Sequence, residues 1–113
     1  MRYRTVGDWY WDNKGDLYID VADTTCWRSN LCIAIHELVE AKMCVLDKVS
    51  QDQVDKWDKE HYRSKEPGDM LFCPYRKQHK WATVVEVLVA TLLLLDWPQH
   101  EKNCEFAWKR TKR

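Results

Sequence analysis

In the stretch Ile33-Ala34-Ile35-His36-Glu37-Leu38-Val39-Glu40-Ala41, a histidine and two carboxylates interrupt an otherwise apolar run. At about 100° per residue in a helix, His36, Glu40 and Asp47 fall in one narrow stripe, with Glu37 to its side. Cys32, Val39 and Met43 flank the stripe on one side, Ile33 and Cys44 on the other. A solvated helical face would mix in lysine, arginine or glutamine. Here the only lysine within the run, Lys42, points elsewhere. Two more segments repeat the pattern. His79, Thr83, Glu86 and Ala90 share a helical face, and Glu86 is the single charge between Ala82 and Leu95. A buried carboxylate is costly unless it meets a cation, a proton or water. Asp55 and Asp58, three apart and so neighbours on a helix, are followed one turn later by His61.

Histidine nitrogen combined with carboxylate oxygen suits manganese, iron or zinc, and magnesium where more carboxylate and water take part. The expectation is that His36, Glu40, Asp58, His79 and Glu86 line a site for a divalent metal (manganese, magnesium or zinc), with Glu37 as catalytic base or outer ligand. The competing expectation is a buried hydrogen-bonded network, Glu40 with His36 and Glu86 with His79 or Arg76, that holds helices in register. Cys26, Cys32, Cys44, Cys73 and Cys104 form an odd set without a C-x-x-C pair, and read as free thiols. Cys32 precedes His36 by one turn and Cys73 shortly precedes His79, so a mixed Cys/His zinc site can be drawn. Free cysteine more commonly packs as a small hydrophobe.

These residues need elements to hold them. Tyr3 to Trp11 and Leu17 to Val21 are rich in aromatic and β-branched residues, and Asp12-Asn13-Lys14-Gly15 between them supplies turn chemistry, which predicts a β-hairpin. A lone ribbon is marginal in water, so it must lie against helices through Trp9, Trp11 and Trp27. Ser29 or Asn30 caps a helix predicted from Leu31 to Lys48. Ser50, with Gln53 in the capping-box position, opens a second, whose inner side carries Val54, Trp57 and His61. Lys65-Glu66-Pro67-Gly68-Asp69 ends it, and Met70-Leu71-Phe72 reads as a short apolar anchor in the loop. Pro74 fits the first turn of a third helix running to about Asp96, apolar almost all round and hence predicted to be the buried, central one. Trp97-Pro98 breaks it, and a short last helix carries His100, Cys104, Ala107 and Trp108 on one face.

With 113 residues the chain suits a single domain, 1–113, with the hairpin and its lead-in over 1–28 and a helical bundle over 29–113: an α+β fold of a hairpin on three main helices plus a short terminal one. Zero formal net charge removes any global attraction to nucleic acid or an anionic membrane. The basic tail Lys109 to Arg113 reads as a solvated end. No secretory stretch opens the chain, and the apolar run Trp81 to Leu95 is too short to span a bilayer, so a cytoplasmic protein is expected.

Several pieces resemble known patterns. His36-Glu37-Leu38-Val39-Glu40 resembles the H-E-x-x-H of metalloproteases, with Glu40 replacing the second histidine and changing ligand type and charge. Asp58-Lys59-Glu60-His61 is similar to the carboxylate-x-x-histidine pair of di-iron bundles, whose second copy this chain lacks. Glu37-x-x-Glu40 followed by Asp55-x-x-Asp58 resembles the acidic pairs of the MazG-like all-α nucleotide pyrophosphohydrolases, with aspartate for the first glutamate of the second pair. That resemblance implies magnesium held against a nucleotide, with Lys56, Lys59, Arg76 or Lys80 meeting phosphate charge. The ordered series Gly7-Asp8-Trp9, Trp27-Arg28, His36 to Ala41, Val54 to Asp58, Pro74-Tyr75, His79, Ala82-Thr83, Glu86 and Asp96-Trp97 resembles a family of small proteins encoded by bacteriophages and prophages. It implies a phage setting, hence the host cytoplasm, and no particular chemistry. Two functions are therefore expected: a metal site hydrolysing a nucleotide or phosphate ester, or a non-catalytic protein that binds and inhibits a host defence protein or nuclease. Exposed aromatics near Tyr10, Trp11, Trp97 or Trp108 would favour the second.

Overall fold

The computed structural model describes residues 5–64 and 66–111. Tyr3 and Arg4 of the predicted first strand, Lys65 of the predicted loop, and Lys112 and Arg113 of the tail lie outside the described residues. Strands β1 (Gly7–Trp11) and β2 (Leu17–Val21) pair antiparallel, with Gly7 opposite Val21 and Trp11 opposite Leu17. Oδ1 of Asp12 closes the turn by accepting from the backbone N–H groups of Lys14 and Asp16 at 2.8 and 2.9 Å. The inner face of the hairpin places Trp9, Trp11, Leu17 and Ile19 in a core completed by Ala41, Cys44, Val54, Cys73 and Tyr75. On the outer face Tyr10 and Tyr18 stack as a cross-strand pair, 5.2 Å between centroids.

Four helices follow: α1 (Trp27–Leu46), α2 (Gln51–Glu60), α3 (Arg76–Leu92) and α4 (Trp97–Arg110), with a 3₁₀ turn at Pro67–Asp69 before α3. The α+β class with an N-terminal hairpin and a helical bundle is therefore observed. At 14 residues α4 is a full element rather than a short one. The capping box of α2 is present in both directions, Ser50 with Gln53. Among the described residues no single helix is long and apolar enough to cross a membrane.

Helix boundaries differ from expectation for definable reasons. α1 begins four residues early, after Cys26, which provides no side-chain cap. Thr24, Asp23 and Asn30 instead tie the entry together, with Oδ1 of Asn30 accepting from both the N–H and the hydroxyl of Thr24 at 2.9 and 2.7 Å. α1 and α3 end early because each closes in a left-handed residue that is not glycine, Lys48 (φ 59°) and Leu94 (φ 57°). The N–H groups of Val49 and Leu95 then reach back to the carbonyls of Cys44 and Ala90, completing the 6→1 bond of a Schellman cap.

α1 packs most extensively on α3. α3 is not, however, the buried central helix its composition suggests. Only Gln78, His79, Ala82, Glu86 and Ala90 are buried on it, while Trp81, Val84, Val87, Leu88 and Leu92 are exposed. The inner faces of α1 and α3 are spent on polar residues, and much of the apolar surface points outward.

Candidate metal centre

α1 contributes His36, Glu37 and Glu40, all buried, and α3 contributes His79 and Glu86, also buried. Nε2 of His36, Nδ1 of His79 and Oε2 of Glu40 converge: His36 to Glu40 is 3.2 Å, His79 to Glu40 2.9 Å, and the two ring nitrogens are 3.2 Å apart. Oε1 of Glu40 accepts from the Trp9 indole N–H at 2.9 Å, so the hairpin holds that carboxylate in orientation. Nε2 of His79 lies 3.3 Å from both Glu66, just before the 3₁₀ turn, and Asp69, its last residue. Nδ1 of His36 lies 2.8 Å from Oε1 of Glu86 but off the direction of the ring N–H, an ion-pair contact rather than a well-formed hydrogen bond.

Behind Glu86 runs a relay that the sequence reading did not assign to the site. Asn103 donates to Oγ of Ser29 at 3.0 Å, Ser29 and Nδ1 of His100 are 2.9 Å apart, and Nε2 of His100 meets Oε2 of Glu86 at 2.5 Å. Glu86 thus pairs with His36 and His100, not with His79 or Arg76. His100 was legible only as one face of the last helix, and Glu66 and Asp69 sit in a turn, where no periodicity marks a direction. Cys104 is the thiol beside this relay, 3.6 Å from Nε2 of His100. All five cysteines are free, and Cys32 and Cys73 are buried in the core.

Asp58 lines the same pocket as the converging residues, where it accepts a hydrogen bond from the buried Tyr75 hydroxyl. It is not among the groups whose ligand atoms cluster. Asp55 does not line the pocket, and His61 turns back to stack on Trp57 and bond its carbonyl at 2.8 Å. The pocket has a volume of about 70 Å³, room for an ion with a few waters. It adjoins a cleft of about 430 Å³ walled by Trp97 and Trp108 and by Glu66, Asp69, Glu86, Glu101 and Glu105. Among the described residues no lysine or arginine lines either one, so Lys56, Lys59, Arg76 and Lys80 stand outside the site.

Electrostatics follow from this crowding. Burial alone would lower the pKa of His36, but contacts with Glu40 and Glu86 outweigh it and raise it well above the ordinary value. His79 is likewise opposed by burial yet lifted to about 10, chiefly by Glu40. Burial works against ionised Glu40, but its bonds to His36 and His79 hold it down at about 2. Glu37 differs: burial, and then the charge of Glu40, push its pKa well up. Contact with Glu40 thus favours the charged form of both imidazoles, while burial and Glu40 disfavour ionisation of Glu37.

Two glycines allow the close packing. A Cβ on Gly68 would lie 2.4 Å from Cγ of His79, and one on Gly7 would lie 2.8 Å from Cγ2 of Ile33 and 2.9 Å from Cδ of Glu37. The 3₁₀ turn and the first strand thus bear directly on site residues. Gly68→Ala is expected to push the His79 ring off its position, lowering ion affinity about 10- to 100-fold and stability by roughly 1–3 kcal/mol. Calorimetric titration and chemical denaturation read the two effects, and parental values in both would mean that the turn can yield without moving His79.

Comparison with protein-family models, with curated proteins and with solved structures finds nothing that matches the chain.

Proposed function

We propose that the protein binds one divalent transition-metal ion through His36, Glu40 and His79 and hydrolyses a small ester or phosphoester there. One observation carries the reading: the three donor atoms are 2.9–3.2 Å apart, although they come from two helices. Metal bonds of about 2.0–2.2 Å at octahedral or tetrahedral angles separate neighbouring ligand atoms by roughly 3.0–3.5 Å. Two nitrogens and one oxygen favour manganese, iron or zinc over magnesium. The outer contacts, Glu86 on His36, the 3₁₀-turn carboxylates on His79 and Trp9 on Glu40, are the kind that orient metal ligands. Bound there, the ion would supply Lewis acidity and an acidified water.

The same donor set also serves ferrous oxygen chemistry, and Glu37 favours hydrolysis instead. Its Oε2 lies 3.8 Å from Nε2 of His36, so it stands beside the ligands without belonging to the converging three; the charge of a bound ion would oppose the burial that keeps it protonated and so ready it to accept a proton from water. Tyr75 and Asp58, joined by a hydrogen bond, are part of the same pocket lining. Among the described residues no lysine or arginine lines the pocket, so of these groups the ion would be the one to meet phosphate charge.

Protein prepared without chelator should bind one equivalent of manganese or zinc and hydrolyse at least one member of a panel of nucleotides, phosphate esters and simple esters. Glu37→Gln should retain the ion and lose about 10²–10⁴-fold in turnover. Substoichiometric binding ends the metal reading, and an ion-loaded parent without turnover on the panel ends the hydrolytic one. The second reading, a binding role toward a host protein, is favoured by exposed apolar surface. Tyr10, Trp11, Trp97 and Trp108 are themselves half-buried, while exposed aromatics include Tyr18, stacked on Tyr10, and Phe106, two residues before Trp108, as well as Trp27, Phe72 and Trp81.

A further inference from the structure

The outer faces of α1 and α3 are bare of charge over most of their length. Between Arg28 and Lys42 the only exposed residues of α1 are Leu31 and Leu38, and Val45 continues the spacing of seven. From Trp81 to Leu95 every exposed residue is apolar or threonine, and Trp81 and Leu88 repeat the interval of seven with Val84 between them. Leu88 is 57 % exposed, Leu92 72 % and Leu46 78 %. Leu94 is 92 % exposed in a left-handed conformation that glycine would adopt more cheaply. A solvated surface gives no reason to keep leucine there.

We infer that this face is the interface of a homodimer, in which α1 and α3 of two copies close into a four-helix arrangement. Aromatic side chains bury 150–250 Å² when covered, and leucine and valine somewhat less, so the exposed fractions of these ten or so residues amount to on the order of 1,000 Å² of apolar surface per copy. Apolar patches on monomers span a few hundred Å², whereas a stable interface buries about 800 Å² per partner. The area fits a dimer. Apolar residues at heptad spacing on two adjoining helices make a self-complementary surface, the requirement for two-fold pairing. The cations that border these stripes, Lys42 and Lys77, are engaged by the Trp11 ring and by Asp47 within the same chain, and zero net charge of the chain imposes no repulsion between copies.

Sedimentation equilibrium of the full chain between 5 and 200 µM, at concentrations of about this order set by typical dimer affinities, tests the inference. Twice the chain mass of 13.6 kDa is expected. Leu38→Glu with Leu88→Glu should return the protein to one chain mass while helical circular dichroism and manganese binding persist, and Val84→Arg should do so alone. These side chains are exposed in the isolated chain, so its fold does not depend on them. A parent that stays at one chain mass throughout overturns the dimer. So does a dimer that survives all three substitutions, or a monomer that binds vesicles of phosphatidylcholine and phosphatidylglycerol.

Discussion

Glu40→Gln is expected to abolish ion binding, with affinity falling by at least about 100-fold, beyond what the loss of an outer-contact residue costs. The amide still presents an oxygen to the Trp9 indole, so the hairpin stays latched. What it loses is the anion that both His36 and His79 address. The metal-free variant should also be less stable, by up to the 3–5 kcal/mol typical of a broken buried ion pair. That loss is limited because the two imidazoles can shed their protons. The check is melting temperature with and without manganese or zinc. A saturating ion should raise the parent by roughly 2.7 kcal/mol at a hundred times its dissociation constant and leave the variant unmoved. An equal shift in both would remove Glu40 from the ligand set.

The second large effect concerns pH. In protein stripped of metal, His36 and His79 have pKa values above the unfolded histidine value, so their contribution is complete below about pH 6.5 and is lost as pH rises toward 10. Glu40, held at about 2, contributes fully above the ordinary carboxylate range and loses its contribution as pH falls through its own value. These are two views of one network and are not to be added. Glu37, raised by burial, acts in the same direction as the histidines, since ionising it costs more in the folded chain. Stability of the metal-free protein should therefore peak between about pH 4.5 and 6.5 and decline through pH 9. Ion binding displaces the imidazole protons, so ion affinity should instead increase with pH, and the metal-loaded protein should not show the alkaline decline. Urea titrations from pH 5 to 9.5 with chelator or with excess zinc distinguish the two curves. Parallel curves would mean that the ion does not replace those protons.

Much of this was legible in residue order. The hairpin followed from its turn residues, α2 from Ser50 and Gln53, and the polar stripe of α1 from the angular spacing of His36 and Glu40. The ends of α1 and α3 were not, because the usual glycine signal is missing where Lys48 and Leu94 take the left-handed position. The exposure of α3 was hidden for a different reason. A helix apolar all round reads the same whether its own chain or a second copy covers it, and periodicity carries no information about which. At the site, Asp58 shared the acidic pattern but is turned to Tyr75, and His100 entered through a contact with Glu86 that no local spacing encodes.

The indole of Trp9 and the carboxylate of Glu40 lie 31 positions apart, His79 and Glu40 39, His36 and His79 43, and His100 and Ser29 71. Only His36 and Glu40 are local neighbours. One long loop closure, α1 onto α3, is therefore needed before the donor atoms meet, and two more, by the hairpin and by α4, before their surroundings are in place, which puts completion of the site late in folding. An ion has little to grasp on the unfolded chain beyond one helical turn. It should act on the finished structure, slowing unfolding far more than it speeds folding, and so serve as a kinetic lock rather than a nucleus.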